Sequence, residues 1–363
     1  MEMWGDRPVI ILGHGVRIAG VYPARVLELG VPVLSSWMGA DLVDNFHPMY
    51  YGSPGIYGQR CANKILYEAD AVLAIGCRMS AWMIGHTGLR PEQRLTMVDC
   101  DWEEVDRIHG AQWINDGIGH FIENMKAPEP NTEWLVQCEA WAKQYPLIEP
   151  IHDDTNGYIN SYRAMAYVNG LLRPDECIVV DTGSLMCPVF QAMRFRPPQR
   201  VITAGGLGEM GCALPGAIGA SFARYKGEVL ALLGDGGMMM NVQELATIKY
   251  HKLPIKMIVF ENDGYSMIKG TFNTVKRPRI GVDRASGISF PDFSKVAASF
   301  GISSCTVRTW PTFKNWMKLM LDFPDPFLMH LSIDPEQEFL PRLKPINKDG
   351  MITPPRFCDM SPL

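Results

Sequence analysis

The apolar residues of this chain fall into short runs that stop at glycine-rich or polar turns. The clearest run, Val229–Leu233, stops at Gly234-Asp235-Gly236-Gly237. A helical pattern follows from about Asn241 to His251, and a second run, Ile255–Phe260, stops at Glu261-Asn262-Asp263-Gly264. Strand, turn, helix and strand in this order predict one right-handed βαβ unit of a parallel sheet. Both turns then lie at the carboxyl ends of neighbouring strands, where open α/β sheets bind ligands.

Similar strand-length runs occupy both halves of the chain. In the first half they predict a helix over about Ala19–Leu29 and four strands, at residues 7–12, 31–34, 71–76 and 95–98. In the second half they predict further strands at 178–180, 201–203 and 327–333, helices at 158–172, 213–224, 293–300 and 312–321, and a loop at 266–290. Strands that alternate with helices indicate parallel sheets covered by helices.

The chain of 363 residues is long enough for two hydrophobic cores. The predicted fold class is α/β, with two doubly wound parallel-sheet domains at residues 1–127 and 151–334. Four prolines bracket a predicted linker, residues 128–150, which carries a helix over Thr132–Gln144. A proline-rich tail, residues 335–363, is expected to wrap the surface or a partner.

Composition excludes several classes of function. Charged residues make up 20% of the chain and the net charge is −5, so we expect no nucleic-acid partner and no anionic membrane surface. The longest apolar runs have the length of strands, and the first ten residues do not resemble a signal peptide. The nine cysteines form no C-x-x-C pair, which favours reduced thiols in the cytoplasm and argues against a zinc site.

The turn Gly13-His14-Gly15 follows the first predicted strand. It lacks the full G-x-G-x-x-G spacing of a dinucleotide site, so an NAD-dependent dehydrogenase is the weakest of the functions considered. Close packing of the strand against a helix explains the two glycines better.

The turns of the βαβ unit carry oxygen ligands that suit a magnesium ion. Asp235 offers a carboxylate, Asn262 an amide oxygen and Gly264 a backbone carbonyl. Mg²⁺ prefers six oxygens and usually takes one or two carboxylates, with phosphate oxygens and water completing the set. Gly236 and Gly237 would let the backbone approach a diphosphate closely. Asn241 is the predicted N-cap of the helix that follows, in a capping box with Glu244.

Each turn also has a purely structural explanation. Asp-Gly and Asn-Asp-Gly are common turn sequences, so Asp235 alone would be interpreted as a turn residue. A Gly-Asp-Gly that closes one strand, with an Asn closing the next, is a more specific pattern. It resembles the signature of thiamine-diphosphate enzymes, from which it departs by having Asp263 in place of a second Asn.

Further motifs extend this resemblance to the acetolactate-synthase-like family of thiamine-diphosphate enzymes. GGLGEMGCALPGAIGA at 205–220 is similar to the family's pyrophosphate-binding domain. RPVIILGHGV at 7–16, YGSPGIYGQRCAN at 51–63 and ADAVLAIGCRMS at 69–80 are similar to its Rossmann-like middle domain, and the tail also fits. The resemblance covers nearly the whole chain and implies thiamine diphosphate and Mg²⁺ as cofactors.

The resemblance also implies roles for individual residues. Asp235, Asn262 and Gly264 would ligate Mg²⁺. Met210 would hold the cofactor in its bent shape and the Gly208 carbonyl would accept a hydrogen bond from its 4′-amino group, so both are candidate catalytic residues. The remaining residues implied to contact the cofactor are Gly183, Ser184, Gly234, Gly236, Gly237 and Tyr265. At Ser184 the family has a Gln-His pair that is absent here.

Two departures from the family matter for function. No Glu here matches the catalytic Glu of the family's N-terminal pyrimidine domain, so a second chain is expected to supply it, or the sequence is a truncated or split gene product. The Arg-Phe-Asp-Asp-Arg run that helps bind FAD reads Arg78-Met79-Ser80-Ala81-Trp82, which makes FAD binding doubtful.

The implied function is decarboxylation of a 2-oxo acid such as pyruvate, followed by transfer of the acyl carbanion to an acceptor. This is an acetolactate-type step of branched-chain amino acid biosynthesis, in a homo- or hetero-oligomer. Decarboxylation without carboligation, and an inactive module that binds only cofactor or partner, are the alternatives.

Overall fold

The protein is described by a computed structural model over residues 3–348 and 351–361. It divides into two compact units. The first unit consists of Met1–Glu149, Arg194–Pro197 and Leu340–Leu363, and the second of Pro150–Met193 and Pro198–Phe339.

The first unit contains a five-stranded parallel sheet of order β2-β1-β3-β4-β5. Its strands are β1 (Pro8–Leu12), β2 (Val33–Ser35), β3 (Ala71–Ile75), β4 (Arg94–Val98) and β5 (Gln112–Ile114). Its helices are α1 (Gly15–Ile18), α2 (Arg60–Glu68), α3 (Ala81–Ile84), α4 (Trp102–Asp106), α5 (Ile118–Asn124) and α6 (Thr132–Gln144). The four predicted strands are present. The second of them starts two residues later and ends one residue later than predicted, and β5 was not predicted.

The predicted helix over Ala19–Leu29 is wrong. Helix α1 ends at Ile18, Gly20 adopts a left-handed conformation with φ +70°, and only a 3₁₀ helix, Ala24–Leu29, follows Pro23. Proline restricts the residue before it to extended conformations, which prevents one continuous helix.

Close packing explains Gly13 and Gly15, as expected. They pack against another turn, however, and not against a helix. A β-carbon on Gly13 would overlap the carbonyl oxygen of Gly76, and one on Gly15 would lie 2.8 Å from Gly76 Cα. The turn after β1 therefore packs directly on the turn after β3.

Residues of the predicted linker and tail contribute to the core of the first unit. Trp134 and Cys138 of α6 are buried there with Leu343, Phe357 and Met360 of the tail. The strands β12 (Ile346–Lys348) and β13 (Met351–Thr353) form a small antiparallel sheet.

The second unit contains a six-stranded parallel sheet of order β10-β11-β9-β8-β6-β7. Its strands are β6 (Cys177–Val180), β7 (Arg200–Thr203), β8 (Val229–Gly234), β9 (Ile255–Glu261), β10 (Ser303–Val307) and β11 (Phe327–Ser332). Its helices are α7 (Ser161–Asn169), α8 (Met186–Ala192), α9 (Ala213–Ala223), α10 (Asp235–Met240), α11 (Leu245–His251), α12 (Ser266–Val275), α13 (Phe293–Ser299) and α14 (Trp310–Asp322). The predicted fold class of two parallel α/β sheets is confirmed.

Strand order places a topological switch point in the second sheet. The chain leaves β6 for β7 on one side and then crosses to β8 on the other side of β6. A crevice at the carboxyl ends of β6 and β8 follows from this order, and open α/β sheets bind ligands in such crevices.

Two local predictions in this unit are wrong. The predicted helix over Asn241–His251 is present as a 3₁₀ helix, Val242–Glu244, and α11, but a further helix, α10, precedes it, and Asn241 forms no side-chain cap and no capping box with Glu244. The predicted loop at 266–290 contains α12 and a 3₁₀ helix, Arg284–Ser286. Gly270 and Thr271 are weak helix formers in the middle of α12, so the sequence favoured a loop.

Candidate functional site

Three polar side chains meet at the carboxyl edge of the second sheet. Asp181 follows β6, Asp235 follows β8 and Asn262 follows β9, and these strands are neighbours. All three residues are buried, with at most 5% of each exposed. The sequence places them together because the ends of parallel strands share one edge.

Asp235 binds the turn after β9 through its carboxylate. Its Oδ2 accepts hydrogen bonds from the backbone N–H groups of Asn262 and Gly264, both at 3.1 Å. Its Oδ1 accepts one from the N–H of Gly236 at 2.7 Å. The three residues predicted to ligate a metal are therefore together, and the carboxylate itself organises them.

The side-chain oxygen of Asn262 is available for a ligand. Asn262 Oδ1 is buried and has no hydrogen-bond partner in the part of the chain that the structure describes. An unsatisfied buried polar atom is costly, and coordination to a cation would remove that cost. Burial also raises the pKa of Asp235 to about 6, against the effect of the three N–H donors. A divalent ion beside this carboxylate would favour its charged form.

This donor set suits a hard cation. Within residues 3–348 and 351–361, no group of three or more His, Cys, Asp and Glu side chains could hold a metal. One carboxylate with one amide oxygen is instead the incomplete set that Mg²⁺ accepts when phosphate oxygens and water supply the rest.

The turn that contains Asn262 depends on two unusual backbone conformations. Asp263 has φ +53° and Gly264 has φ +145°. Asn and Asp adopt the left-handed region more readily than other side chains, so Asp263 meets the same requirement as the Asn that it replaces. At Gly264 a β-carbon would overlap the carbonyl oxygen of Val282.

Gly236 brings together two of the residues predicted to contact the cofactor. A β-carbon on Gly236 would overlap the ring of Tyr265 and lie 3.0 Å from Cε of Met210. Tyr265 in turn packs edge-on against Phe290, with ring centroids 5.8 Å apart. Met210, Gly236 and Tyr265 therefore form one wall of the crevice.

Four other predicted residues lie in more open positions. Added β-carbons on Gly183 and Gly234 would meet no non-neighbouring atom within 4 Å, and at Gly208 the nearest would be Thr182 Cγ2 at 3.8 Å. Ser184 is half-buried, directly after Gly183. Gly183 and Gly208 have φ of +122° and +75°, conformations that favour glycine. The open space around both residues leaves room for a ligand.

Three residues make contacts at the site that the sequence did not predict. Asp181 ends β6 in the way that Asp235 ends β8, and that repetition was the available signal. Asn241, predicted as an N-cap, donates instead from Nδ2 to the carbonyl oxygen of Gly211 at 2.8 Å. Lys269 lies on α12, which was predicted as a loop, so its burial could not be anticipated.

Lys269 fixes the turn after β9 from the other side. Its side chain is buried, and Nζ donates to the carbonyl oxygens of Asn262 at 3.0 Å and Pro335 at 3.1 Å. The ammonium thereby joins the turn of Asn262 to the segment that follows β11.

Replacing Lys269 with methionine should destabilise the second unit by about 1–3 kcal/mol, because two buried carbonyl groups lose a charged donor. Equilibrium unfolding in urea measures the change. Lys295→Met is the matched control, since the Lys295 side chain is 84% exposed. Equal stability of the two variants would show that Lys269 does not hold the turn.

Among residues 3–348 and 351–361, no helix combines the length and apolar composition needed to cross a bilayer.

Family models match both units. The model "Thiamine pyrophosphate enzyme, C-terminal TPP binding domain" matches residues 181–331, which include the whole crevice. The model "Thiamine pyrophosphate enzyme, central domain" matches residues 5–123. Thiamine pyrophosphate is another name for thiamine diphosphate.

Similar curated proteins are acetolactate synthases. The isozyme 1 large subunit of Escherichia coli (strain K12) is 30% identical over 349 residues, which are 93% of this chain and 60% of the relative. The isozyme 2 large subunit of the same organism is 26% identical over 346 residues, 94% of this chain and 62% of the relative. A probable large subunit of Methanococcus aeolicus is 27% identical over 354 residues, 91% of this chain and 58% of the relative.

The chain thus spans about three fifths of the length of these curated relatives. The matches confirm the resemblance that the strand-end motifs indicated. The chain belongs to the thiamine pyrophosphate enzyme family, of which it contains the central domain and the C-terminal TPP-binding domain.

Proposed function

We propose that this chain binds thiamine diphosphate through Mg²⁺ and serves an acetolactate-synthase-type reaction. A 2-oxo acid such as pyruvate would lose CO₂, and the remaining acyl carbanion would pass to an acceptor. The observation that carries the proposal is Asn262 Oδ1, which is buried without a hydrogen-bond partner among the described residues, on a residue whose backbone N–H donates to the Asp235 carboxylate. Two oxygens of this kind at adjacent strand ends are suited to a metal that carries a diphosphate.

Each predicted residue has a role in this proposal. Asp235, Asn262 and the Gly264 carbonyl would hold Mg²⁺. The glycine positions and Ser184 bring backbone and hydroxyl groups close to the diphosphate; they are Gly183, Ser184, Gly234, Gly236 and Gly237.

The wall formed by Met210, Gly236 and Tyr265 would orient the rings of the cofactor. Met210 and Tyr265 flank Gly236 and present apolar surface. The Gly208 carbonyl would accept a hydrogen bond from the 4′-amino group. Thiamine diphosphate supplies the electron sink for the carbanion that decarboxylation creates.

Catalysis in this proposal also uses the family's activating Glu. No Glu of this sequence stands in the context of the family's activating Glu, so a pyrimidine-domain subunit would supply it in a homo- or hetero-oligomer in the cytoplasm. FAD is not part of the proposal, because the run at 78–82 lacks the family's aspartates and Arg78 pairs with Glu104 at 3.3 Å.

A second candidate function uses only the diphosphate and metal contacts described above. A chain with the diphosphate half of the site and no activating partner would bind thiamine diphosphate without turnover, as a cofactor- or partner-binding module.

Calorimetric titration followed by a reconstituted assay distinguishes these functions. We expect thiamine diphosphate to bind the chain with Mg²⁺ and not with EDTA. After addition of a pyrimidine-domain protein, we expect pyruvate to be consumed and acetolactate to form. Binding without pyruvate consumption would support the inactive module, and acetaldehyde as the only product would support a simple decarboxylase. No Mg²⁺-dependent binding would refute the proposal as a whole.

A further inference from the structure

Gly211, next to Met210, is held from both sides by side chains outside the proposed cofactor contacts. Its N–H donates to Asp181 Oδ1 at 2.9 Å, and its carbonyl oxygen accepts from Asn241 Nδ2 at 2.8 Å. Gly211 has φ +81°, and a β-carbon there would lie 2.5 Å from Cβ of Met240. Two hydrogen bonds and the close contact with Met240 therefore fix the position of Gly211, the residue after Met210.

Asp181 is committed to this contact by its surroundings. It has no exposed surface, and its Oδ1 also accepts a weak hydrogen bond from Cys212 Sγ at 3.5 Å. Its other oxygen, Oδ2, is buried without a hydrogen-bond partner among the described residues. That oxygen lies against Gly237, where a β-carbon would overlap it.

Asp181 and Asn241 also link the two segments that the proposed site requires. Asn241 directly follows α10, which begins at Asp235, and Asp181 packs on Gly237 of the same helix. Through Gly211 both side chains connect this helix to the turn that carries Gly208 and Met210. The distance between Met210 and Gly236 is thereby set by side chains to which the proposed function gives no metal or cofactor contact.

We propose that Asp181 and Asn241 are positioning residues that clamp Gly211 and so fix Met210 against the helix starting at Asp235. This inference rests on the proposed function, because Met210 matters only if a cofactor ring lies against it. It predicts that loss of the clamp weakens binding of the part of the cofactor that carries the rings. The contacts to the diphosphate and the metal should stay in place.

Two probes separate these parts of the ligand in a titration of the full chain. Mg²⁺–pyrophosphate reports only on the diphosphate and metal contacts, whereas Mg²⁺–thiamine diphosphate also reports on Met210. Asn241→Asp keeps the shape of the side chain and removes the donor. We expect it to raise the Kd of Mg²⁺–thiamine diphosphate about tenfold, the effect of one lost hydrogen bond, and that of Mg²⁺–pyrophosphate less than about threefold.

Variants of Asp181 supply the second arm of the test. Asp181→Ala should likewise raise the Kd of Mg²⁺–thiamine diphosphate more than that of Mg²⁺–pyrophosphate. Asp181→Asn keeps one oxygen acceptor and should bind Mg²⁺–thiamine diphosphate as the wild type does. If Asp181→Ala does not fold, Asn241→Asp carries the test, because Asn241 is only half-buried. Gln144→Glu is the control for charge, since Gln144 is exposed on α6.

The outcomes distinguish this inference from the proposed function. If the wild type binds both probes and the variants bind them equally well, the clamp is refuted and the proposed function stands. An equal loss for both probes would show a general structural role and would also refute the clamp. Failure of the wild type to bind Mg²⁺–thiamine diphosphate would overturn the function and the clamp together.

Discussion

Replacing Asp235 with asparagine is expected to weaken Mg²⁺-dependent binding of thiamine diphosphate by at least about a hundredfold. Loss of a residue that only hydrogen-bonds to a metal ligand lowers metal affinity about 10- to 100-fold, and loss of a direct ligand should lower it more. The substitution keeps the shape of the side chain but removes the charge. It also leaves one oxygen for three backbone donors, the N–H groups of Gly236, Asn262 and Gly264. Metal binding and the turn after β9 are therefore affected together. Titration calorimetry at fixed Mg²⁺ measures the loss.

Asp263→Asn is the matched control for this prediction. It removes a carboxylate one residue from Asn262, and asparagine accepts the left-handed conformation of φ +53° as well as aspartate does. We expect its affinity for thiamine diphosphate to equal that of the wild type. Undiminished binding by Asp235→Asn, or wild-type binding that does not need Mg²⁺, would show that Asp235 is not a metal ligand.

The sequence was sufficient to place Asp235 beside Asn262 for a simple physical reason. Apolar runs of strand length mark where strands end, and parallel strands end at one edge of the sheet. Two residues that directly follow neighbouring strands must then lie close together, whatever the loops do. Their hydrogen bonds through the Asp235 carboxylate agree with this argument.

The start of the helix after β8 could not be predicted in the same way. Gly236 and Gly237 are weak helix formers, so local propensity moves the helix start beyond them to Asn241. In the structure both glycines belong to α10. Glycine is needed at these positions because a β-carbon would overlap Tyr265 at Gly236 and Asp181 at Gly237. These contacts come from the residue after β6 and the residue before α12, both far away in sequence. For the same reason neither the clamp on Gly211 nor the burial of Lys269 was visible in the sequence.

Substituting Gly237 with alanine should strongly destabilise the second unit. The new β-carbon would overlap Asp181 Oδ2, and Asp181 cannot move freely because Gly211 donates to its Oδ1. Overpacking of a buried site costs about 1–3 kcal/mol, and we expect Gly237→Ala to lie at the upper end of that range in urea unfolding.

Gly219→Ala on α9 is the opposite case on the same unit. It is an exposed helical glycine with no atom within 4 Å of an added β-carbon, so alanine should stabilise the protein by about 0.5–1 kcal/mol. A double-mutant cycle then tests the cause of the loss at Gly237. If Asp181 Oδ2 is the obstacle, Gly237→Ala should cost much less in the Asp181→Ala background than in the wild type. Strictly additive changes would mean that the obstacle lies elsewhere, and that the helix starting at Asp235 does not pack on Asp181 in solution.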